Sequence, residues 1–389
     1  MKIIVSAAGR FHAFYWAEQI QKKGYLCKMI AGYYSPKINA KGIEINPSRI
    51  ASSGLPDILA YVFRRFFKKY VDLNIDWYFK EFYDRWASRQ VEPCDILVGW
   101  SGSSLHTIRR ARELGVVTVV HRGSAHILTQ EDLIQYEYAK FGIQKKVIDK
   151  RIIDKELKEY ELADYIHTPS SFAKQTFINR GFPDYKIFVV PNGFSVKHFK
   201  SIPKLDDIFR VIHVGPSVRK GTHYLLQAMD ELGLPSSEVL LIGRPEGVLL
   251  PLLDECKCQV KLIERVPHIE MWRYYSMGSL YCLPSIEDGF ANVIVEAMAC
   301  GLPVICSENV GAKDSVRKGI DGFVVPVRDV EALKEKILYL YEHEKERKEM
   351  GRNALERAKE FTWDRYGERM VEAYKKILSS KGGKRCLAK

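Results

Sequence analysis

Asp288 and Glu296 are two carboxylates eight positions apart, and they lie around a turn that opens a helix. The apolar run 280–283 predicts a short buried strand, 284–289 the loop after it, and 292–300 an apolar helix. A ligand would sit at the carboxyl end of that strand. The backbone amides of Gly289, Phe290, Ala291 and Asn292 would surround the helix start, where the helix dipole favours an anion such as a diphosphate.

Glu296 is the single charged residue in the run Val-Ile-Val-Glu-Ala-Met-Ala-Cys. A buried carboxylate is costly unless donors satisfy it, and vicinal ribose hydroxyls are suitable donors. Asp288 would then face a hexose. The alternative is that Asp288 caps the helix and Glu296 lies on a solvated face.

The stretch from Pro284 to Met298, continuing into Cys-Gly-Leu-Pro-Val-Ile at 300–305, resembles the donor-site signature of the retaining glycosyltransferases of family 4, the group 1 glycosyl transferases. That resemblance implies a nucleoside diphosphate sugar donor, retention of anomeric configuration and no metal or other cofactor. It is specific from about Val211 to Gly322. Asp288 stands where the family usually has glutamate, so its reach to the sugar is one methylene shorter, and Glu287 is adjacent but out of register.

A second loop, Gly-Pro-Ser-Val-Arg-Lys-Gly at 215–221, follows a predicted strand and precedes a helix. Fixed cations there would neutralise the charge that grows on a departing diphosphate. The segment is similar to the family's glycine, arginine and lysine-glycine pattern. Lys220 matches the lysine, and Arg219 substitutes for the arginine because Pro216 stands in the usual place. The alternative is ordinary surface charge.

Other donor-site residues are expected at further strand ends. Gly243 and Arg244 end one predicted strand and Val266 follows the next, and similar loops enclose the base in the resembled family. Gly9, after the opening strand, would let the backbone approach a phosphate closely. The full G-x-G-x-x-G fingerprint is absent, which argues against a dehydrogenase.

A histidine ends a predicted strand of the first half, in Val-Val-His-Arg-Gly-Ser-Ala-His at 119–126. The family commonly has a histidine there that contacts the transferred sugar, and His121 fits that register, with His126 as the competitor. The alternative is a hydrogen-bonded structural histidine. The segment 100–104, at the end of an earlier strand, is a candidate for acceptor binding.

These residues need a scaffold of two domains, which is also what 389 residues predict. Strand-like runs alternate with helical stretches, which indicates parallel sheets covered by helices. The alternation stops near 191–204, where turn formers cluster. We therefore predict an α/β fold of two doubly wound Rossmann-like domains facing across a cleft (GT-B architecture). The predicted parts are a first domain (1–200), a second domain (201–360) and a last segment (361–389). The resemblance implies that the first is the acceptor-side domain, that the second binds the nucleotide-sugar donor, and that the last segment is a helix crossing back to the first domain, with a basic tail.

The net charge of +12 is uneven, because residues 1–200 hold 31 Lys and Arg against 20 Asp and Glu. Basic and aromatic residues alternate along 61–70, which could lie on an anionic bilayer or form an ordinary core-facing helix. No finger, RNP or basic-zipper pattern accompanies the charge, so nucleic acid is not an expected partner. The eight cysteines are read as reduced thiols without a zinc pattern.

The sequence therefore predicts a hexosyltransferase that acts on an acceptor hydroxyl, with a lipid-linked or saccharide acceptor in surface polysaccharide or glycolipid synthesis. A cytoplasmic protein is expected from the absence of a signal peptide or a membrane span. Its basic first half could place it on the inner face of the membrane. Two alternatives remain open: a nucleotide-sugar epimerase, and a noncatalytic partner subunit that keeps the fold without turnover.

Overall fold

The structure is a computed structural model that describes residues 1–9, 12–35, 42–54, 76–144 and 146–386. The first domain holds a seven-stranded parallel sheet in the order β3-β2-β1-β4-β5-β6-β7. Its strands are β1 Ile3–Ala7, β2 Leu26–Ala31, β3 Ile50–Ser52, β4 Ile96–Trp100, β5 Val117–His121, β6 Tyr165–Thr168 and β7 Ile187–Val189. Its helices are α1 Ala13–Lys22, α2 Asp76–Ser88, α3 Leu105–Glu113, α4 Ile127–Lys140, α5 Lys150–Leu162 and α6 Ser171–Ile178.

The second domain holds a six-stranded parallel sheet in the order β10-β9-β8-β11-β12-β13. Its strands are β8 Phe209–Val214, β9 Ser237–Ile242, β10 Val260–Ile263, β11 Leu280–Leu283, β12 Val304–Ser307 and β13 Gly322–Val325. Its helices are α7 Thr222–Leu232, α8 Leu250–Glu255, α9 Met271–Tyr275, α10 Asn292–Ala299, α11 Val330–Glu342 and α12 Glu344–Ala358. The predicted fold, two doubly wound parallel-sheet domains, is confirmed.

The apolar runs form buried strands because a parallel sheet is covered on both faces and so needs apolar residues on both. All residues of β1, β4, β5 and β11 are buried. The apolar run predicted as a strand over 280–283 is β11, with the same bounds. Two short strands, β3 and β13, were not predicted.

The last helix, α13 (Trp363–Cys386), packs on the first domain, as predicted from the resemblance. The Trp363 ring stacks on Tyr15 of α1 with centroids 4.5 Å apart, and Tyr366 and Tyr374 meet the buried Trp16 edge-on. A Cβ on Gly367 would lie 2.8 Å from Gln19 Cβ, so the two helices approach closely there. The C-terminal helix therefore completes the core of the first domain.

Among the described residues, no helix is both long enough and apolar enough to cross a bilayer. The basic aromatic segment 61–70 lies outside the described residues. Seven cysteines in the described part are unpaired. Two of them, Cys256 and Cys258, lie with their sulfurs 2.9 Å apart beside Asp230.

Candidate functional site

The second sheet reverses its strand order between β8 and β11, which are neighbours although two strands separate them in the chain. Ligands of open α/β sheets bind outside the carboxyl ends of the strands at such a point. The loops there are 215–221 after β8 and 284–291 after β11, the two loops that carry the predicted donor residues. They touch, because a Cβ on Gly221 would lie 2.0 Å from the Pro284 carbonyl oxygen.

The start of α10 presents free backbone amides. Ala291 has a left-handed φ of 63° and contributes no side-chain cap. Within the described residues, the amides of Ala291, Asn292 and Val293 donate to no acceptor, while that of Phe290 donates to Asp288 Oδ1 at 3.3 Å. Free amides and the helix dipole together make an anion site. Asp288 thus accepts from an amide within the loop and does not cap the start of α10.

Glu296 is buried on α10, with 6% of the residue exposed. Its oxygens pair with His268 Nε2 at 2.9 Å and accept from the Tyr275 hydroxyl at 3.1 Å. The donors that a buried carboxylate needs are therefore supplied by the protein. Tyr275 is buried, whereas the His268 side chain is 65% exposed, so His268 is the donor that a ligand hydroxyl could replace.

Lys220 is an unpaired cation at this site. Its ammonium has no hydrogen-bond or ion-pair partner among the described residues, and its stem passes within 3.4 Å of where a Cβ on Gly215 would stand. Burial lowers the pKa of Lys220, opposed by the attraction of Asp288. A partly buried ammonium that has no partner in the described part of the chain is suited to a phosphate.

Arg219, the neighbouring cation, already has a partner. Its Nε donates to Glu287 Oε2 at 2.9 Å and to the Glu287 carbonyl oxygen at 3.0 Å. Burial alone would lower the pKa of Arg219, but the carboxylates of Glu287 and Asp288 together outweigh burial and raise this pKa. Arg219 therefore keeps its charge beside the Lys220 loop.

The loops after β9 and β10 lie on the other side of the switch point. Gly243, with a φ of 118°, packs against Pro216, where a Cβ would lie 3.2 Å from the ring Cδ. Arg244 is exposed and has no ion pair among the described residues, and Val266 is half-buried against the domain core. These residues line the strand ends without a hydrogen bond to Glu296 or Lys220.

Three histidines cluster at the carboxyl end of the first sheet. His121 ends β5, and its Nδ1 lies 2.7 Å from His167 Nδ1 on β6. The His12 ring meets His121 edge-on at 4.5 Å. His167 Nε2 lies 3.1 Å from the Val190 carbonyl oxygen. His121 Nε2 and His12 Nε2 are buried without a hydrogen-bond partner in the described part of the chain.

His126, the competitor, is structural: its Nδ1 accepts from the Leu128 amide at 3.3 Å at the start of α4, and its ring packs on Phe177.

Gly9 follows β1 beside the first sheet's own switch point, between β1 and β4. Arg10 and Phe11 lie outside the described residues. In the candidate acceptor loop, the Gly102 and Ser104 amides donate to the buried Glu159 at 2.6 and 2.7 Å, so those amides already have a protein acceptor.

The two domains are in contact at the donor helix. A Cβ on Gly289 would lie 2.0 Å from the Gly123 carbonyl oxygen, so only glycine fits there. The Ser170 hydroxyl of the first domain donates to the Gly289 carbonyl at 2.7 Å, and Ser171 bonds to Asp314. His121 lies two residues before Gly123, and Gly123 contacts Gly289 in the loop that leads into α10. His121 is therefore near the start of α10.

Two buried glutamates each form hydrogen bonds with residues of the other domain. No sequence pattern indicated these contacts. Glu287, fully buried, accepts from the Ala125 amide at 2.9 Å and from Gln130 Nε2 at 2.8 Å, both in the first domain. Glu137, on α4 and also fully buried, pairs in the second domain with His223 at 3.0 Å and Arg328 at 2.7 Å. Hydrogen bonds from His223, Tyr224 and Arg328 outweigh burial and lower the pKa of Glu137 to about 2.

Residues 196–357 match the family model described as Glycosyl transferases group 1, so the resemblance to that family is confirmed over these residues. A phosphatidyl-myo-inositol mannosyltransferase of Mycolicibacterium smegmatis is 26% identical over 198 residues, 48% of this chain and 51% of that protein. The chain spans about half the length of the curated relatives it matches.

Solved structures show the same fold over nearly the whole chain. A sucrose-phosphate synthase of Thermosynechococcus elongatus superposes with a TM-score of 0.70 at 17% identity, covering 98% of this chain and all of that one. Anabaena Alr3699/HepE, solved in complex with UDP-glucose, superposes with a TM-score of 0.68 at 16% identity, covering 97% of this chain and 100% of that chain. The fold is that of the GT-B glycosyltransferases.

Proposed function

We propose that this protein transfers a hexosyl group from a nucleoside diphosphate sugar to an acceptor hydroxyl with retention of anomeric configuration. The observation that carries the proposal is the contact between two loops at the β8/β11 switch point: one holds Lys220, whose ammonium has no partner among the described residues, and the other leads to the open amino end of α10. A cation and free amides on adjoining loops fit a diphosphate.

Each predicted residue has a role in this proposal. Glu296 holds the ribose in place of His268, and Asp288 with the amides from Gly289 to Asn292 holds the sugar and the adjoining phosphate. Lys220 and Arg219 stabilise the charge that grows on the departing diphosphate, which is worth about 3 kcal/mol per well-placed group in other enzymes. Gly243, Arg244 and Val266 line the base. The proposed reaction is metal-independent, which rests on the family resemblance.

His121 contacts the sugar from the first domain, and Gly9 approaches the phosphate. The departing phosphate oxygen takes the acceptor's proton in a same-face displacement, so the diphosphate leaves as the new glycosidic bond forms. Apposition of the two domains excludes water and limits donor hydrolysis. This mechanism is imported from the family and rests on the fit of the residues to it.

The acceptor belongs to the first domain in this proposal. A lipid-linked or saccharide acceptor is supported by the excess positive charge of residues 1–200 and by the mannosyltransferase among the relatives, whose name specifies a phosphatidylinositol acceptor. A location on the inner face of a membrane belongs to the same proposal.

Thermal unfolding with UDP, GDP, ADP and their glucose or mannose derivatives tests the donor site. A ligand at 100 times its Kd stabilises the fold by about 2.7 kcal/mol. We expect one nucleotide class to stabilise the wild type and Glu296→Ala to abolish the shift, whereas Glu335→Ala, an exposed glutamate on α11, should keep it. Failure of every nucleotide to bind would reject the proposal.

Product analysis separates the alternatives. A transferase releases nucleoside diphosphate and needs an acceptor for full turnover, whereas an epimerase changes the donor sugar without any acceptor. Nucleotide binding with neither hydrolysis nor transfer would indicate the noncatalytic partner subunit.

A further inference from the structure

A chain of polar side chains, of which Arg122, Glu156 and Glu287 are buried, runs from the core of the first domain to Arg219 in the donor loop. Arg122 pairs with Glu156 at 2.9 Å, and its Nη2 donates to Gln130 Oε1 at 2.6 Å. Gln130 Nε2 then donates to Glu287 Oε2 at 2.8 Å, and the same oxygen accepts from Arg219 Nε at 2.9 Å. Four consecutive contacts therefore link α5 of one domain to the β8 loop of the other.

The chain has a fixed direction at Gln130. An arginine can only donate, so the Gln130 oxygen faces Arg122 and its NH₂ faces Glu287. The other Glu287 oxygen accepts from the Ala125 amide at 2.9 Å. Two of the three groups that orient the Glu287 carboxylate thus belong to the first domain, and the third is Arg219 itself.

Arg219 uses Nε for Glu287, and its two terminal nitrogens have no partner among the described residues. A guanidinium fixed through Nε presents its remaining donors in a set direction, as bidentate binding of a phosphate requires. If the domains separate, Glu287 loses Ala125 and Gln130 together. Arg219 then keeps the Glu287 carbonyl oxygen, but nothing in the first domain orients the carboxylate that is its second acceptor.

We propose that Glu287 is a positioning residue that aims Arg219 at the donor diphosphate only when Gln130 and Ala125 of the first domain are seated against it. This inference rests on the proposed function and adds a coupling between domain apposition and leaving-group stabilisation. Hydrolysis of the donor without an acceptor is limited because Arg219 is aimed at the diphosphate only when the two domains are in contact.

Gln130→Glu tests the coupling with an almost isosteric change. It keeps an oxygen for Arg122 but sets a second carboxylate against Glu287, which like charges disfavour. We expect kcat to fall at least about tenfold, as for misplaced catalytic groups, while the Kd of UDP, or of the nucleotide class that stabilises the wild type, changes less than about threefold. The control is Gln175→Glu, an exposed glutamine on α6, which should leave both values unchanged.

The double variant Gln130→Glu with Glu287→Gln exchanges acid and amide and removes the like-charge pair. Because Glu287 Oε2 serves both Gln130 and Arg219, an amide nitrogen at that place would face the Arg219 Nε donor. We therefore expect a favourable coupling in the free energy of unfolding, while kcat stays low because Arg219 has lost its carboxylate partner. Gln130→Met, which removes both hydrogen bonds without adding charge, should give an intermediate kcat, and thermal unfolding of each variant confirms folding.

Wild-type kcat in Gln130→Glu, or simple additivity of the two single changes in both readouts, would overturn the inference. Absence of nucleotide binding by the wild type would instead reject the proposed function. In that case the double-mutant cycle of unfolding free energies still decides whether positions 130 and 287 are coupled across the domains.

Discussion

The Nδ1 atoms of His121 and His167 lie 2.7 Å apart, so one of these two nitrogens carries a proton and donates it to the other. His167 Nε2 faces the Val190 carbonyl oxygen, which only accepts, and so Nε2 carries the hydrogen of that ring. Burial lowers the pKa of His167 to about 4 and, with His12 and His167 nearby, lowers the pKa of His121 well below its ordinary value, so both rings are neutral at pH 7. The shared proton therefore belongs to His121, and His121 Nε2 is a bare acceptor.

The tautomer is directly measurable. Nitrogen-15 NMR of histidine-labelled protein at pH 7 should show an unprotonated Nε2 for His121 and a protonated Nε2 for His167. In His167→Phe, which removes the acceptor, His121 should lose its preference for the Nδ1-protonated form. A protonated His121 Nε2 in the wild type would contradict the assignment, and the exposed His343 serves as the reference signal.

Stability should fall as the pH drops from about 6.5 toward 4. Burial lowers the pKa of His12 to about 3 and that of His213 to about 4, against an ordinary value of 6.5. The unfolded chain binds these protons and the native chain does not, so each such histidine costs about 1.4 kcal/mol per pH unit in this window. Urea unfolding at pH 7 and pH 5 measures the slope.

His213→Gln should reduce that slope by about one proton, since position 213 then no longer titrates. His343→Gln, at an exposed position, should leave it unchanged. Equal slopes in the wild type and His213→Gln would show that His213 is protonated in the native state.

Ala291→Gly should stabilise the protein. Ala291 holds a φ of 63°, a left-handed conformation that costs a residue with a Cβ about 1 kcal/mol and costs glycine little. Chemical unfolding should therefore show a gain of up to about 1 kcal/mol, part of it offset by the greater freedom of glycine in the unfolded chain. Ala297→Gly, within the same helix, should act in the opposite direction, and a loss of stability in Ala291→Gly would contradict the prediction.

Glu137→Gln should weaken the contact between the domains. Removing one charge from a buried ionic cluster leaves its partners uncompensated and typically costs about 3 kcal/mol or more. The effect should shrink at low pH, because the pKa of Glu137 is lowered to about 2 from 4.5 and its contribution is lost as the pH falls through that range. Urea unfolding against Glu335→Gln, an exposed glutamate, checks both the size and the pH dependence; equal values for the two variants would refute it.

Most of the fold could be predicted from the sequence because buried parallel strands are continuous apolar runs. β11 is four apolar residues between turn formers, and its bounds were right. β3 has three residues and none of them is fully buried, so its hydrophobic signal is weak. β13 is a four-residue strand that begins with Gly322, and glycine usually marks a turn.

The candidate site could be predicted only as far as local spacing reaches. Lys220 and Asp288 lie in loops that follow strands, and Glu296 lies on the helix after the second loop; periodicity locates these elements. The contact between Glu287 and Gln130 joins positions 157 apart on different domains, and it depends on how the domains meet. The role of His167 depends likewise on β5 and β6 being neighbours.

The chain passes between the domains twice, near Phe194 and again near Thr362, and the two passages are bound to each other: the Phe194 amide donates to the Phe361 carbonyl at 2.8 Å. Two crossings bound to each other at one place form a single joint between the domains. Expressing either half alone would sever it and strip the C-terminal helix from Trp16, so neither half should be treated as a separate unit.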